Sequence, residues 1–307
     1  MIFVDGVGIG KKDGEVNPFF AARLPALRSL FQGEIPSLRH RRLSARRASL
    51  IPLDANLGVP GLPQSGTGQT ALFTGENGAR LAGKHFGPYP YSTLRPVIEE
   101  KSIFRRLLDT GKTPCFANAF PQRFFDYIEQ HRSRMTVTTL SCSQCRMPLR
   151  SAEHLARGDG VSADITNAGW HQLGYPDMPV IEPAEAGRRL ARMLHRHDFV
   201  LFEYWKTDYA GHSGSMTEAI EVLERLDALL VGVLEVLDTR EMLLLLTSDH
   251  GNMEDMSVKT HTRNPVPAIL YGHRHRDVAE RFEHHSTAGG DLCRVTPALM
   301  EFLAPGH

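Results

Sequence analysis

Apolar residues in this chain fall into two alternating rhythms. Short runs, Ile2–Val4, Cys115–Asn118, Phe199–Trp205, Met242–Thr247 and Ala268–Tyr271, end abruptly in polar residues and read as buried strands. Longer stretches repeat at steps of three and four. Ala219, Ile220, Leu223, Leu226, Leu230, Val233 and Leu237 form the stripe of an amphipathic helix, with Thr217 as its N-cap. A second helix opens at Pro183 and continues through Ala186, Leu190, Met193 and Leu194, and a last one opens at Thr296-Pro297 and covers Ala298–Leu303. The alternation predicts an α/β fold, a central and mostly parallel sheet flanked by helices.

One stretch breaks the rhythm. From about Pro121 to Asp177 the chain mixes Arg, Ser, His and Gly with weak periodicity between two core-like units. The expected organisation is a core of residues 1–120 and 178–307 with a small inserted cap at 121–177. The basic run Arg39–Arg47 is expected to be a solvated surface strand or loop.

The chain's 307 residues are ample for a sizeable core. Lys plus Arg number 35 and Asp plus Glu number 35, so no global field favours a polyanion, and nucleic acid is not expected as a partner. The longest apolar runs fall far short of a bilayer span, and the opening Met-Ile-Phe-Val-Asp lacks the features of a secretory signal. No membrane association and a cytoplasmic location are therefore expected. Of the four cysteines only Cys142 and Cys145 stand close together, and a lone CxxC reads first as reduced structural thiols.

The chemistry sits where the strands stop. Asp5 follows the first run, Asp208 the third and Asp249-His250 the fourth, while His261 precedes the last. In open α/β sheets the carboxyl ends of the strands form the ligand-binding crest. Asp208-Tyr-Ala-Gly-His212 places a carboxylate and an imidazole four residues apart, so both can converge on one ion, and Asp249-His250-Gly251-Asn252 adds a second pair. Three Asp and three His with no thiolate suit Mn²⁺ or Zn²⁺ better than Ca²⁺ or an iron–sulfur cluster. His273, His275, His284 and His285 lack such context and are expected at the surface.

Between the first and second groups lies a turn rich in glycine and hydroxyls, Gly61 to Gly75, that runs into an apolar helical stretch and carries Ser65, Thr67 and Thr70. A hydroxyl at such a helix start gains from the exposed amides, which also favour an incoming phosphate. Next to a divalent ion its proton is lost more readily. Two look-alikes fail. Gly78 to His85 resembles a phosphate-binding Walker loop, but His85 stands where Ser or Thr is needed. Gly6-Val-Gly8-Ile-Gly10 resembles a dinucleotide fingerprint, but Lys11 replaces the third glycine and Asp5 would repel a pyrophosphate.

Taken together, Asp5-Gly6-Val7-Gly8, Ser65-Gly-Thr-Gly68, Asp208 to Gly214, Asp249 to Met256 and His261 to Pro267 resemble the alkaline phosphatase superfamily, in the branch of cofactor-independent phosphoglycerate mutase and phosphopentomutase. The resemblance implies two divalent ions, one held by Asp5, Ser65, Asp249 and His250 and the other by Asp208, His212 and His261. It also implies that Ser65, nine residues before Thr74-Gly75, is the nucleophile. Two departures separate the chain from the mutases: Gln69 replaces the usual His, and the segment before Asp208 is too short for their large phosphotransfer domain.

The function so implied is two-metal phosphoryl transfer from a small phosphorylated substrate through a phosphoserine, of phosphatase or phosphomutase type. Arg123, Arg132, Arg134 and Arg146 of the cap are candidates for substrate contacts. The alternatives are a phosphodiesterase or sulfatase-like hydrolase, a metal-independent serine hydrolase, for which no GxSxG elbow is present, and a non-catalytic metal or ligand sensor.

Overall fold

The computed structural model describes residues 1–40, 42–130, 134–283 and 290–306. Its strands are β1 (Ile2–Val4), β2 (Leu43–Ser44), β3 (Ala48–Leu53), β4 (Pro114–Phe116), β5 (Asn118–Ala119), β6 (Val161–Ser162), β7 (Phe199–Tyr204), β8 (Leu243–Thr247) and β9 (Val266–Gly272). Among the described residues, seven form one sheet in the order β2-β3-β9-β8-β1-β7-β4, and β5 and β6 form a separate parallel pair. The block β8-β1-β7-β4 is parallel throughout. Strand β9 runs antiparallel to both β8 and β3, and β2 runs antiparallel to β3, so the sheet is mostly but not fully parallel.

The helices that bear on the site are α1 (Ser65–Thr74), α2 (Gln122–Gln130), α3 (Val137–Gln144), α4 (Pro183–Met193), α5 (Lys206–Ser213), α6 (Met216–Val236) and α7 (Val295–Leu303). Strand alternation assigns them to layers. Ile2, Val4, Leu244 and Leu246 pack on one face with Leu223, Leu226 and Leu230 of α6 and Leu190 of α4. Phe3 and Leu245 point to the other face, against Leu72 of α1, Leu140 of α3 and Leu299 of α7. The hydrophobic effect thus closes both faces and leaves the ends of the strands for chemistry.

Several sequence expectations shift in detail. The N-cap of α6 is Ser215, whose hydroxyl accepts from the Glu218 amide at 3.3 Å, rather than Thr217. Strand β3 is absent from the sequence reading because Ser49 and Pro52 interrupt its apolar run, yet it is paired along its length with β9. The basic run Arg39–Arg47 contributes the short edge strand β2; Arg41 lies outside the described residues. The run Cys115–Asn118 divides between two sheets. Asn118 leaves the main ladder, but its side-chain amide donates to the Glu203 carbonyl and accepts from the Glu203 amide, both at 2.8 Å, and so keeps the chain fastened to β7.

The stretch 121–177 is built from unlike parts. Val137, Leu140 and Cys142 of α3 belong to the main core, whereas Leu155, Trp170 and Met178 gather with Ala119 in a small cluster of their own. Among the described residues no helix is long and apolar enough to cross a membrane.

Candidate metal centre

Strands β8, β1 and β7 are neighbours, so the residues just beyond their carboxyl ends are brought to one place. Asp5 follows β1, Ser248 and Asp249-His250 follow β8, and Asp208 lies in the first turn of α5, just after β7. Backbone contacts hold this register: the Asp5 amide donates to the Tyr204 carbonyl at 3.1 Å, and the Thr207 hydroxyl donates to the Asp5 carbonyl at 2.5 Å. His261 precedes its strand, and it reaches the same edge because β9 runs the other way.

Two groups of side chains result. In the first, Asp5, Asp249 and His250 are all buried, with candidate ligand atoms within 4.8 Å of one another. His250 Nε2 lies 3.2 Å from Asp5 Oδ1 and 3.8 Å from Asp249 Oδ2. In the second, Asp208, His212 and His261 meet the same limit. Asp208 Oδ2 is 3.4 Å from His212 Nε2, and Asp208 Oδ1 is 3.5 Å from His261 Nε2. The His250 and His261 rings stack at 3.8 Å and join the two groups.

The donor set fits divalent ions on three grounds. His212 Nδ1 faces the Lys259 carbonyl at 3.0 Å and His261 Nδ1 faces the Pro63 carbonyl at 2.7 Å. A carbonyl only accepts, so each Nδ1 carries the proton and each Nε2 of a neutral ring presents a lone pair inward. Second, Asp249 Oδ2 is buried without a hydrogen-bond partner, which is unfavourable for a polar atom unless something cationic meets it. Third, the electrostatics call for positive charge. Burial raises the Asp249 carboxyl far above its ordinary range, with Asp5 adding to the effect. Burial alone would lower His250, but Asp249 and Asp5 outweigh it and hold the imidazolium up to about 10, whereas burial and the neighbouring His250 pull His261 down to about 4.

Ser65 opens α1 and is buried, with Oγ 3.0 Å from His250 Nε2. Its neighbours are otherwise employed: Thr67 donates to the carbonyl of the N-cap Gln64 at 3.1 Å and accepts from the Phe86 amide at 3.2 Å, and Thr70 donates to the Gly66 carbonyl at 2.7 Å. Of the three hydroxyls, Ser65 is the one that faces the first group. Gln69, one turn further along, hydrogen-bonds to Asp249.

A surrounding layer escaped the sequence reading. Buried Glu254 accepts from the amides of Gly8 and Asn252, each at 2.8 Å, from the Thr262 hydroxyl, and from Asn264 Nδ2 at 3.0 Å. One carboxylate thereby ties together the loops that carry Asp5, Asp249-His250 and His261. Gly8 lies so close that a Cβ there would fall 2.4 Å from the Glu254 carboxylate. Asn252 Nδ2 donates to Asp208 Oδ1 at 2.6 Å, and Gly6, with φ +68°, leaves room for the same oxygen, which a Cβ would meet at 2.4 Å. Glu254 stands within a motif quoted from the sequence, but its role depends on the loop after β1 meeting both ends of the β8–β9 connection, which spacing does not reveal.

The remaining candidates disperse. Arg123 and Arg146 are exposed, Arg134 donates to the Tyr127 hydroxyl at 3.4 Å, and Arg132 lies outside the described residues. Cys142 and Cys145 join neither ion group. His275, expected at the surface, is instead buried, with Nδ1 2.9 Å from the Ser49 hydroxyl; His284 and His285 lie outside the described residues.

Residues 178–305 match the family model described as the Metalloenzyme superfamily. The 2,3-bisphosphoglycerate-independent phosphoglycerate mutase of Methanocorpusculum labreanum is 33% identical over 165 residues, half of this chain and 39% of that protein. Over residues 178–305 the chain is therefore similar to the Metalloenzyme superfamily. The mutase of Methanococcus vannielii is 34% identical over 137 residues, 42% of this chain and 32% of that protein. Among solved structures of similar fold, the PH0037 protein from Pyrococcus horikoshii has a TM-score of 0.55 at 15% identity and covers 98% of this chain and 96% of its own. The alkaline phosphatase of the Antarctic bacterium TAB5 has a TM-score of 0.52 at 11% identity and covers 98% and 97%. The superfamily model spans Asp208, His212, Asp249, His250 and His261 but not Asp5 or Ser65. The aligned region is about two fifths of the length of the Methanocorpusculum mutase.

Proposed function

We propose that this chain is a metal-dependent phosphoryl-transfer enzyme acting on a small phosphate ester, with two divalent ions and Ser65 as nucleophile. The observation that carries the reading is the position of the Ser65 hydroxyl, at a helix start and 3.0 Å from His250, where the first ion group converges. Asp5, Asp249 and His250, with Ser65, would hold one ion and Asp208, His212 and His261 the other. The mixed oxygen and nitrogen donors favour Mn²⁺ or Zn²⁺. Bound there, the ions supply Lewis-acid charge that lowers the cost of ionising a hydroxyl and of charge gathering on the transferring oxygens.

The chain's own residues do the rest. The amino end of α1 would orient the phosphate by the positive end of its dipole. Ser65 Oγ attacks phosphorus in line, the Oγ–P bond forms, and the ester P–O bond breaks to release the alcohol, which takes up a proton. Water or a second alcohol then attacks the phosphoserine, restoring the hydroxyl and completing hydrolysis or transfer. Asn252 and Glu254 hold the ligand loops throughout. The stretch 121–177 would act as the cap.

A metal-independent serine hydrolase is less well supported, because His250 Nδ1 faces the Gly251 carbonyl at 3.4 Å rather than an orienting carboxylate. A non-catalytic sensor would use Ser65 only as an ion ligand and would form no phosphoserine. A panel of phosphate monoesters and diesters assayed with Mn²⁺ or Zn²⁺, with intact-protein mass measured on enzyme quenched during turnover, tests the proposal. One phosphoryl group on Ser65 is expected; turnover without it would move the attack to water, and no turnover on any ester would favour the sensor.

A further inference from the structure

Beside the ion groups, at the carboxyl ends of β7 and β4, lies a cavity of about 680 Å³. Trp205 and Lys206 form part of its wall, and the turn of α5 that they open carries Asp208, which sets the cavity next to the second ion group. The rest of the wall is unusually aromatic: Phe120, Phe124, Tyr127 and Trp170 join Trp205. Phe120 and Phe124 stack at 4.1 Å and 20°.

The polar groups of the lining are largely spent on each other. Both ends of the Asn118 amide are taken by the Glu203 backbone. Asp164 accepts from the Ser162 hydroxyl and from the amides of Asn167 and Gly169, and Ser162 accepts from Trp170 Nε1 at 2.7 Å. The hydroxyls of Thr136 and Thr139 face each other at 3.0 Å. A polyhydroxylated sugar or a carboxylate-bearing glycerate would find few hydrogen-bond partners here, whereas a flat ring would meet aromatic faces. The two cations suit the other half of an ester. Arg123 is exposed at the rim, and Lys206 Nζ lies over the Trp205 ring at 5.2 Å, two residues before Asp208, where a phosphoryl group belongs. Glu203, whose Oε2 accepts from Thr138 at 2.6 Å, is the carboxyl in the wall with capacity left; burial holds it up to about 7, so near neutrality it is partly uncharged.

We infer that this cavity receives the organic half of the substrate and that this half is a flat, weakly polar ring, making the preferred substrate an aryl or arylmethyl phosphate monoester. The inference rests on the phosphoryl-transfer reading above, and the experiment separates the two. Benzyl phosphate and ethyl phosphate have leaving groups of similar basicity, so a difference between them reports on binding rather than on chemistry. With Mn²⁺ or Zn²⁺ present, kcat/KM for benzyl phosphate is expected to exceed that for ethyl phosphate by about tenfold or more, the effect of burying one ring. Trp205→Ala and Phe124→Ala should each raise KM for benzyl phosphate and shrink that advantage.

A second readout does not need turnover. Trp170 and Trp205 are the protein's two tryptophans and both line the cavity. Saturable quenching of their fluorescence by benzyl phosphate, in the wild-type chain and in Ser65→Ala, is expected, and ethyl phosphate at the same concentration should not produce it. Equal kcat/KM for the two esters, preference for 3-phosphoglycerate or a sugar phosphate, or absence of quenching would overturn the cavity assignment and leave phosphoryl transfer standing. No turnover of any ester, with quenching intact, would overturn phosphoryl transfer and keep the ring-binding cavity.

Discussion

His212 and His261 turn their Nε2 atoms toward each other across 3.1 Å, while the Nδ1 of each is held by a backbone carbonyl. Two inward lone pairs beside the Asp208 carboxylate repel unless a cation lies among them. Ions that bind only the folded chain must then stabilise it, by about 2.7 kcal/mol at a hundredfold excess over Kd. Adding Zn²⁺ or Mn²⁺ to chelator-treated protein is expected to raise Tm, and Asp208→Ala should remove part of that gain. An unchanged Tm in both proteins, with no metal found by elemental analysis, would defeat the two-ion site.

Replacing Ser65 by Ala is expected to lower turnover by several orders of magnitude while the second ion group stays filled, because the variant loses the attacking atom and no ligand of that group. Thr70→Ala loses a hydrogen bond within the helix, and Thr67→Ala loses those with the Gln64 carbonyl and the Phe86 amide, worth about 1 kcal/mol each; both should keep most activity. Steady-state rates with metal content measured on the same samples check both halves; an active Ser65→Ala would rule Ser65 out as nucleophile.

Glu254 gathers four donors from two loops, one after β1 and one between β8 and β9. Glu254→Ala strands the buried amides of Gly8 and Asn252, at about 1–3 kcal/mol for each unsatisfied group, and frees the ligand loops. Weaker binding of both ions is expected, measurable by calorimetry. Glu254→Gln, which keeps the shape but brings two donors into a set of donors, should fall between Ala and wild type. Loss of one ion with the other unchanged would show that the loops are held independently.

Glu203 gives a pH dependence whose sign is fixed. Burial raises its folded-state pKa from the ordinary 4.5 to about 7, so the folded chain binds this proton more tightly than the unfolded chain. The associated stability is fully present below about pH 4.5, declines as the pH rises toward 7 and is absent above it, a change of about 3 kcal/mol. Glu203→Gln keeps an acceptor for Thr138 and should be the more stable protein at pH 8, with the gap closing toward pH 5. Parallel denaturation curves at the two pH values would contradict this.

The strand-end rule placed Asp5, Asp208 and Asp249-His250 from sequence, because each follows an apolar run whose parallel neighbours force convergence. His261 is different in kind. It precedes its strand, so in a wholly parallel sheet it would stand at the opposite edge, and only the reversal of β9 brings it to His212. The family resemblance supplied what periodicity could not. Strand β3, the Ser215 cap and the buried His275 went unread because each is decided by a partner distant in sequence or by one hydrogen bond. The aromatic cavity was equally invisible, since its walls come from segments brought together only by the fold.

The reversal of β9 also bears on the order of assembly. Strands β8 and β9 pair as chain neighbours across the connection 248–265, which carries Asp249, His250 and His261. Such local pairing closes a short loop and is expected early in folding. Asp5 is more than two hundred residues away in the chain and arrives only when β1 inserts between β8 and β7. A half-built ion site can therefore exist on a partly folded chain, and the strand that completes it is the one that joins the two halves of the parallel block.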